Sequence, residues 1–396
     1  MTPQLRFPEF TDEWQVKKLG SIASKVSERN SASSANTVLT NSAVYGVIPQ
    51  TDFFDKEIAV QGNLSNYYKT ALDDFVYNPR ISTSAPVGPF KRNNYGSGVL
   101  SPLYNLYRFR DGQVLAFFEQ YLKSIHWHKY MKDVANYGAR SDRMAISSSD
   151  LLALPLPYPS KPEQEKIADF LTAVDARIAV GEKKLELLET YKRGVMQQIF
   201  SQKIRFKDEN GSSYPDWEEK KLEDVFSERD GKGGEIENML SVTIKSGVVP
   251  FSTIDRKDNS SANKSNYKKV VTGDIAYNSM RMWQGASGVS AYDGIVSPAY
   301  TVITPKADNV SKFWGYYFKL PRVVFTFERY SQGLTSDTWN LKFKQLSEIA
   351  LSTPSEEEQQ KIADFLTTLD ARITAEKSKL TAAKKFKKAL LQRMFV

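Results

Sequence analysis

The chain has 396 residues, 41% hydrophobic and 12% aromatic, with a formal net charge of +8 and no cysteine. This excludes a disulfide framework and thiolate metal sites, and it fits a reducing cytoplasm, the expected location. The N-terminus Met1-Thr2-Pro3-Gln4-Leu5-Arg6-Phe7-Pro8 has no continuous apolar region, and no run approaches the about 20 residues of a membrane helix, so neither a signal peptide nor a membrane partner is expected.

Short strand-like runs come first: Tyr45-Gly46-Val47-Ile48, Asp74 to Asn78, and Tyr104 to Phe109. Clusters of Gly, Asn, Ser and Pro separate them. A helix is expected over Val114 to Val134. The exit Leu154-Pro155-Leu156-Pro157-Tyr158-Pro159 then closes a globular region, because proline cannot continue a strand's hydrogen bonding. Pro162 stands at a natural first position of a long helix running to Phe200. Ile204 opens a second globular region, with a counterpart helix near Ser311 to Arg329 and an exit at Leu351-Ser352-Thr353-Pro354. Ser355 with Glu358 predicts a capping box for a second long helix, ending near Phe395.

The two long helices are copies. Glu163-Gln164-Glu165-Lys166-Ile167-Ala168-Asp169-Phe170-Leu171-Thr172-Ala173-Val174-Asp175-Ala176-Arg177-Ile178 returns from Glu358 to Ile373, identical at 13 of 16 positions with an offset of 195. The repeat reaches further. Leu5-Arg6-Phe7 and Trp14 return as Ile204-Arg205-Phe206 and Trp217. Asp74 to Asn78 returns as Asp274 to Asn278, and Gly98 to Tyr104 as Gly294 to Tyr300. Residues 25–70 and 228–270 share almost nothing, so a common frame carries two divergent inserts. The chain is a duplicated protein.

Each helix carries one apolar stripe at near-heptad spacing (Ile167, Leu171, Val174 and Ile178 in the first; Ile362, Leu366, Leu369 and Ile373 in the second) and would run about 55 Å. The natural partner of each stripe is the other copy. Only Ser201, Gln202 and Lys203 separate helix one from the Ile204 anchor, so the end of helix one should adjoin the start of helix two. The expected fold class is α+β: two similar mixed α/β globular domains joined by two long antiparallel coiled-coil helices, with pseudo-two-fold symmetry. The boundaries read as 1–158, 159–203, 204–354 and 355–396.

No catalytic signature is present. Tyr77-Asn78-Pro79-Arg80 lacks the second proline and the aromatic of the Asn-Pro-Pro-aromatic methyltransferase motif. Gly231-Lys232-Gly233-Gly234 has no Lys-Ser/Thr following it, so it is no phosphate loop. His126 and His128, the two histidines, point in different directions on a helix and do not make a metal site. The Ser and Asp residues lack a histidine base nearby in sequence.

The divergent regions instead hold side chains suited to base edges and phosphates. In the first half these are Arg80, then Lys91, Arg92, Asn93, Asn94 and Tyr95, then Arg140, Ser141 and Arg143. In the second they are Lys264, then Arg281, Trp283 and Gln284, then Gln332, Thr335 and Ser336. Arg and Lys reach guanine O6/N7, Asn and Gln pair with adenine N6/N7, and hydroxyls hold phosphates. The net charge argues weakly for this, because residues 376–396 alone carry +6 and the remaining 375 only +2.

The Pro-containing exits, each followed by Glu163-Gln164-Glu165-Lys166-Ile167-Ala168 or Glu358-Gln359-Gln360-Lys361-Ile362-Ala363, resemble the specificity (S) subunit of type I restriction-modification systems. So does Tyr277-Asn278-x-x-Arg281 followed by Gly294 to Tyr300; in the first half Arg80 lies two residues after Asn78 instead of three. The resemblance covers nearly the whole chain. It implies two target recognition domains on spacer helices, reading a bipartite asymmetric site in double-stranded DNA without catalysis. It also implies two methylation subunits and restriction subunits as partners, with S-adenosylmethionine, ATP and Mg bound by those partners and no cofactor in this chain. Two unlike readers on an antiparallel pair would address half-sites about 34–36 Å apart. The competing readings are a coiled-coil scaffold that does not bind DNA, and a methyltransferase with its own donor site, for which no motif is found.

Overall fold

The computed structural model describes residues 2–31, 37–53, 64–136, 142–233, 238–255 and 263–396. The chain divides into two compact units, Met1–Lys183 with Lys377–Val396, and Lys184–Glu376.

The first unit opens with β1 (Gln15–Lys18), α1 (Leu19–Ile22), β2 (Ala23–Val26), β3 (Leu39–Ser42) and β4 (Gly46–Pro49). It continues with β5 (Tyr68–Thr70), β6 (Phe75–Tyr77), β7 (Phe90–Arg92), β8 (Gly98–Leu100) and β9 (Asn105–Phe109). Then come α2 (Leu115–Leu122), α3 (His128–Val134), α4 (Ser148–Leu152), β10 (Pro155–Tyr158) and the long α5 (Lys161–Phe200). Its central antiparallel sheet has the order β2-β9-β6-β7, flanked by the pairs β1-β10, β3-β4 and β5-β8.

In the second unit follow β11 (Glu218–Lys221), α6 (Leu222–Val225), β12 (Phe226–Glu228), β13 (Leu240–Thr243), β14 (Gly247–Pro250) and β15 (Lys268–Val270). After them come β16 (Ile275–Asn278), β17 (Ser287–Val289), β18 (Gly294–Val296) and β19 (Tyr300–Pro305). The unit ends with α7 (Ser311–Tyr317), α8 (Pro321–Tyr330), α9 (Phe343–Ser347), β20 (Ala350–Thr353) and α10 (Glu356–Arg393). The sheet order is β12-β19-β16-β17, with the pairs β11-β20, β13-β14 and β15-β18. Topology thus persists among the described residues of 25–70 and 228–270, where sequence likeness is lost. A few apolar positions suffice to hold it, Leu39 and Val47 in one hairpin and Leu240, Val242 and Val248 in the other.

The two shorter helices expected as continuous are each broken in two. In Ser311 to Arg329, Pro321 lacks the N–H that would continue the helix and instead starts α8 at its first turn. In Val114 to Val134, the Trp127 indole donates to the carbonyls of Leu122 and Ser124, satisfying the end of α2 where the chain turns.

The two long helices pair antiparallel within each unit. In the first, Lys387 bonds Asp175 and Lys384 bonds Glu182. In the second, Lys192 bonds Asp370 and Lys184 bonds Glu376. Ile167, Leu171, Leu390 and Met394 enter the first unit's core, and Ile199, Phe200, Ile362 and Leu366 the second's. Leu185, Leu188 and Leu380 are only half-buried, so the stripe is covered mainly near the globular parts.

Two matching clamps explain why the Arg-Phe, Trp and Glu-Gln repeats survive together. Glu163 is buried and receives Arg6 through Nε at 2.7 Å and Nη2 at 2.9 Å, with the Trp14 indole at 3.1 Å. Glu358 receives Arg205 at 3.2 and 2.8 Å and the Trp217 indole at 3.1 Å. A buried carboxylate needs such a set of donors. The next residue, Gln164 or Gln359, donates to the carbonyl of Pro159 or Pro354 and locks the exit to the helix. The expected capping box is therefore only half formed. Ser355 Oγ accepts from the Glu358 N–H at 3.5 Å, while the Glu358 carboxylate is held by Arg205 and Trp217.

Candidate nucleic-acid interface

The strand that delivers the candidate loop in each unit starts from a buried aspartate. Asp74 Oδ2 accepts from the Ala71 N–H at 2.8 Å, and Asp274 Oδ2 from the Val271 N–H at 2.8 Å. At the strands' other ends, Asn78 Oδ1 accepts from the Arg80 N–H and Asn278 Oδ1 from the Met280 N–H. Each asparagine thus turns the chain out of the sheet by the same local bond. Tyr77 and Tyr277 are fully buried behind these turns, and burial raises the pKa of both phenols. They belong to the frame.

In the first unit, Arg80 leaves this turn exposed and faces Arg143 across an antiparallel bridge. The Ile81 N–H donates to the Asp142 carbonyl, and the Met144 N–H to the Pro79 carbonyl. Arg143 Nε stands 3.8 Å from Asp142 and lacks a hydrogen-bond partner among the described residues. The Arg80 guanidinium has no ion pair among those residues. Two facing cations repel unless an anion lies between or beside them.

In the second unit the chain runs one residue further before its arginine. Arg281 N–H bonds the Asn278 carbonyl at 2.9 Å, and residues Met282–Gln284 form a short 3-10 turn. Met282 is fully buried and pins the turn, while Gly285, at φ +79°, closes it in a conformation that favours glycine. Arg281 points out, with no ion pair among the described residues. Trp283 donates from its indole to the Met280 carbonyl at 3.0 Å and meets Trp339 edge-on at 5.2 Å. The Leu341 N–H donates to Ser279 O, tying in the 332–340 hairpin closed by Gln332 and Asn340. That hairpin exposes Gln332, Thr335 and Ser336, with Leu334 fully exposed at its tip. The fold therefore brings Arg281, Trp283 and Gln284 together with Gln332, Thr335 and Ser336.

The 91–95 cluster lies elsewhere. Arg92 bonds Asp73 and Glu119, and Asn94 bonds Glu119, so both are engaged beside α2. Asn93 is fully buried, its amide donating to the Ala71 and Gly96 carbonyls. Burial lowers the pKa of Lys91, and nearby Lys123 and Lys387 lower it further. Of this group only Tyr95 and Asn94 are exposed. Lys264 sits over the Tyr267 ring at 4.8 Å, on the loop before β15. Arg140 and Ser141 lie outside the described residues.

Sequence reading missed Trp339 and the tips of the β3–β4 and β13–β14 hairpins, which expose Val44 and Tyr45 in one unit and Ile244 in the other. The available signal was a glycine closing each tip, Gly46 at φ +75° and Gly247 at φ +64°. Among the described residues no His, Cys, Asp or Glu cluster could hold a metal, and no helix is long and apolar enough to cross a membrane.

A family model described as type I restriction modification DNA specificity domain matches residues 11–190 and again 214–385. The putative type I restriction enzyme MjaX specificity subunit of Methanocaldococcus jannaschii is 24% identical over 284 residues, covering 68% of this chain and 66% of that relative. The match thus spans just under two thirds of that relative's length. Among solved structures, the type I restriction-modification S subunit from M. genitalium has a TM-score of 0.61 at 16% identity, covering 100% of this chain and 99% of that one. The HsdS subunit from Thermoanaerobacter tengcongensis has a TM-score of 0.50 at 14% identity, covering 98% and 97%. With the domain matched in both halves, the chain belongs to the type I restriction-modification DNA specificity family.

Proposed function

We propose that the chain is the non-catalytic, sequence-reading subunit of a type I restriction-modification complex. Residues 1–158 and 204–354 act as target recognition domains for two different half-sites in double-stranded DNA, and residues 159–203 and 355–396 as the spacer helices. Arg80 and Arg143 contact the first half-site; Arg281, Trp283, Gln284, Gln332, Thr335 and Ser336 contact the second. Lys264, Asn94 and Tyr95 suit phosphate or sugar contacts.

The observation that carries this reading is the pair of loops leaving β6 and β16. They start from the same asparagine turn and present unlike side chains, with the exposed Arg80 or Arg281 unpaired among the described residues. A scaffold would need no such unpaired cations at equivalent places. The chemistry belongs to partners: two methylation subunits holding S-adenosylmethionine, and restriction subunits using ATP and Mg. The complex acts in the cytoplasm, where it meets the chromosome.

Mapping methylated adenines in cells that carry the complex tests the reading. A two-part asymmetric motif with a fixed unread gap is expected, and it should vanish when the chain is deleted. Methylation that persists without the chain would refute the assignment.

A further inference from the structure

In the second unit a cavity of about 750 Å³ opens beside α5, with Arg193, Lys245, Lys312, Ser287 and Tyr316 on its wall. Its charges are unbalanced. Of its two acids, Asp370 accepts hydrogen bonds from Lys192 and Tyr316, and Glu189 is engaged as well. Lys245, at the tip of the β13–β14 hairpin, and Lys312, in the first turn of α7, are exposed with no ion pair or hydrogen bond among the described residues. Arg193 adds a third cation at the rim, with one long bond to Thr190.

This surface is fastened to the reading loop. The Lys319 ammonium donates to three carbonyls: Gly285 at 2.6 Å, Ser287 at 2.7 Å and Ile244 at 3.2 Å. Gly285 closes the turn that presents Arg281, and Ile244 is the neighbour of Lys245. One half-buried cation therefore holds the hairpin tip and the end of the reading turn in a fixed relation.

We infer that Lys245 and Lys312, with Arg193 at the rim, form a phosphate-binding face that grips the DNA backbone beside the base pairs read by Arg281. This rests on the base-reading role proposed for Arg281. The reach is right. The Arg281 carbonyl accepts from the Ala286 N–H at 3.2 Å, and Ala286 adjoins Ser287 on the cavity wall. A DNA strand places a phosphate about every 3.4 Å along its axis. A duplex engaged at Arg281 thus brings several phosphates within range of the cavity. The first unit lacks both lysines: its hairpin tip is Ala43-Val44-Tyr45, and Ala116 stands in α2 where Lys312 stands in α7, while Lys388 stands at the repeat position of Arg193.

The test measures binding of the complex to a duplex carrying its mapped target and to an unrelated duplex, across a series of KCl concentrations. The pair Lys245→Ala and Lys312→Ala should flatten the plot of log K against log salt by about 1.8, or about 0.9 per lost phosphate contact. The change should appear on both duplexes and leave the preference for the target unaltered. Circular dichroism melting should match the parent, since both lysines are exposed. An unchanged slope with unchanged affinity overturns the proposal. An unchanged slope with loss of co-purifying subunits also overturns it and assigns the face to an acidic protein partner. A parent complex that binds DNA without any sequence preference would refute the base-reading role instead, and its salt slope would still judge the phosphate face.

Discussion

The two units neutralise the same buried aspartate from different strands. In the first, Arg108 on β9 grips Asp74 with Nε at 2.8 Å and Nη2 at 2.9 Å. In the second, Thr304 occupies that register and gives Asp274 a hydroxyl at 2.9 Å, while the guanidinium comes from Arg229, just past β12. The turn before the strand differs likewise, with Asp73 at φ +73° in one and Gly273 at φ +95° in the other. What is retained is charge balance and backbone shape, and several residue choices satisfy both. The Arg-Glu-Trp clamps at the helix entries kept every residue, because a fully enclosed carboxylate flanked by an indole and a guanidinium leaves few substitutes.

The most severe way to separate the units is to open one clamp. Arg205→Ala leaves Glu358 enclosed without its cation and should cost the second unit about 3–5 kcal/mol, with Arg6→Ala doing the same to the first. Limited proteolysis during thermal unfolding would report each unit by its own fragments. Equal damage to both units from one substitution would show that the clamps are not local. Arg108→Ala comes next, at about 2–3 kcal/mol from the first unit, since two charge-assisted bonds to Asp74 are lost.

Arg281→Ala should weaken binding by about 1–3 kcal/mol, roughly 5- to 150-fold, for duplexes altered outside the second half-site only. Competition with half-site variants measures this, and equal relaxation at both half-sites would move Arg281 from reading to structure. The mildest change is Thr304→Ala, about 1 kcal/mol, because Arg229 still faces Asp274. A loss as large as that of Arg108→Ala would mean the two anchors are not interchangeable.

Much of this architecture was legible in residue order. The repeated segments contained every residue of both clamps without showing that they meet, and the short link at Ser201 to Lys203 anticipated the antiparallel pairing of helix ends within each unit. Lys192 and Lys387 are themselves 195 apart, as are Asp175 and Asp370, so those two helix-to-helix ion pairs follow the repeat, whereas Lys184–Glu376 and Lys384–Glu182 do not. The breaks in the two shorter helices were harder to foresee. Pro321 was a visible signal for one, but the other depends on an indole folding back onto carbonyls, which no spacing rule encodes. The candidate site was half legible. Arg281 and its neighbours lie on one loop, whereas the partnership of Arg80 with Arg143, or of Trp283 with Trp339, spans tens of residues of chain. The 91–95 cluster shows the limit of composition: it has the vocabulary of a binding loop, yet Asn93 and Arg92 are engaged in holding turns and α2.

The division of the long helices also sets an order of events at the ribosome. The first unit needs Leu390, Leu391, Met394 and Phe395, the last stacked edge-on against Phe117 and Tyr121. Those residues are made roughly 200 positions after Lys183, about 10–40 s later at about 5–20 residues per second. Throughout that interval the nascent first unit shows bare aromatic surface. The unit encoded second is contiguous and finishes first, which makes the earlier one the natural client for a chaperone.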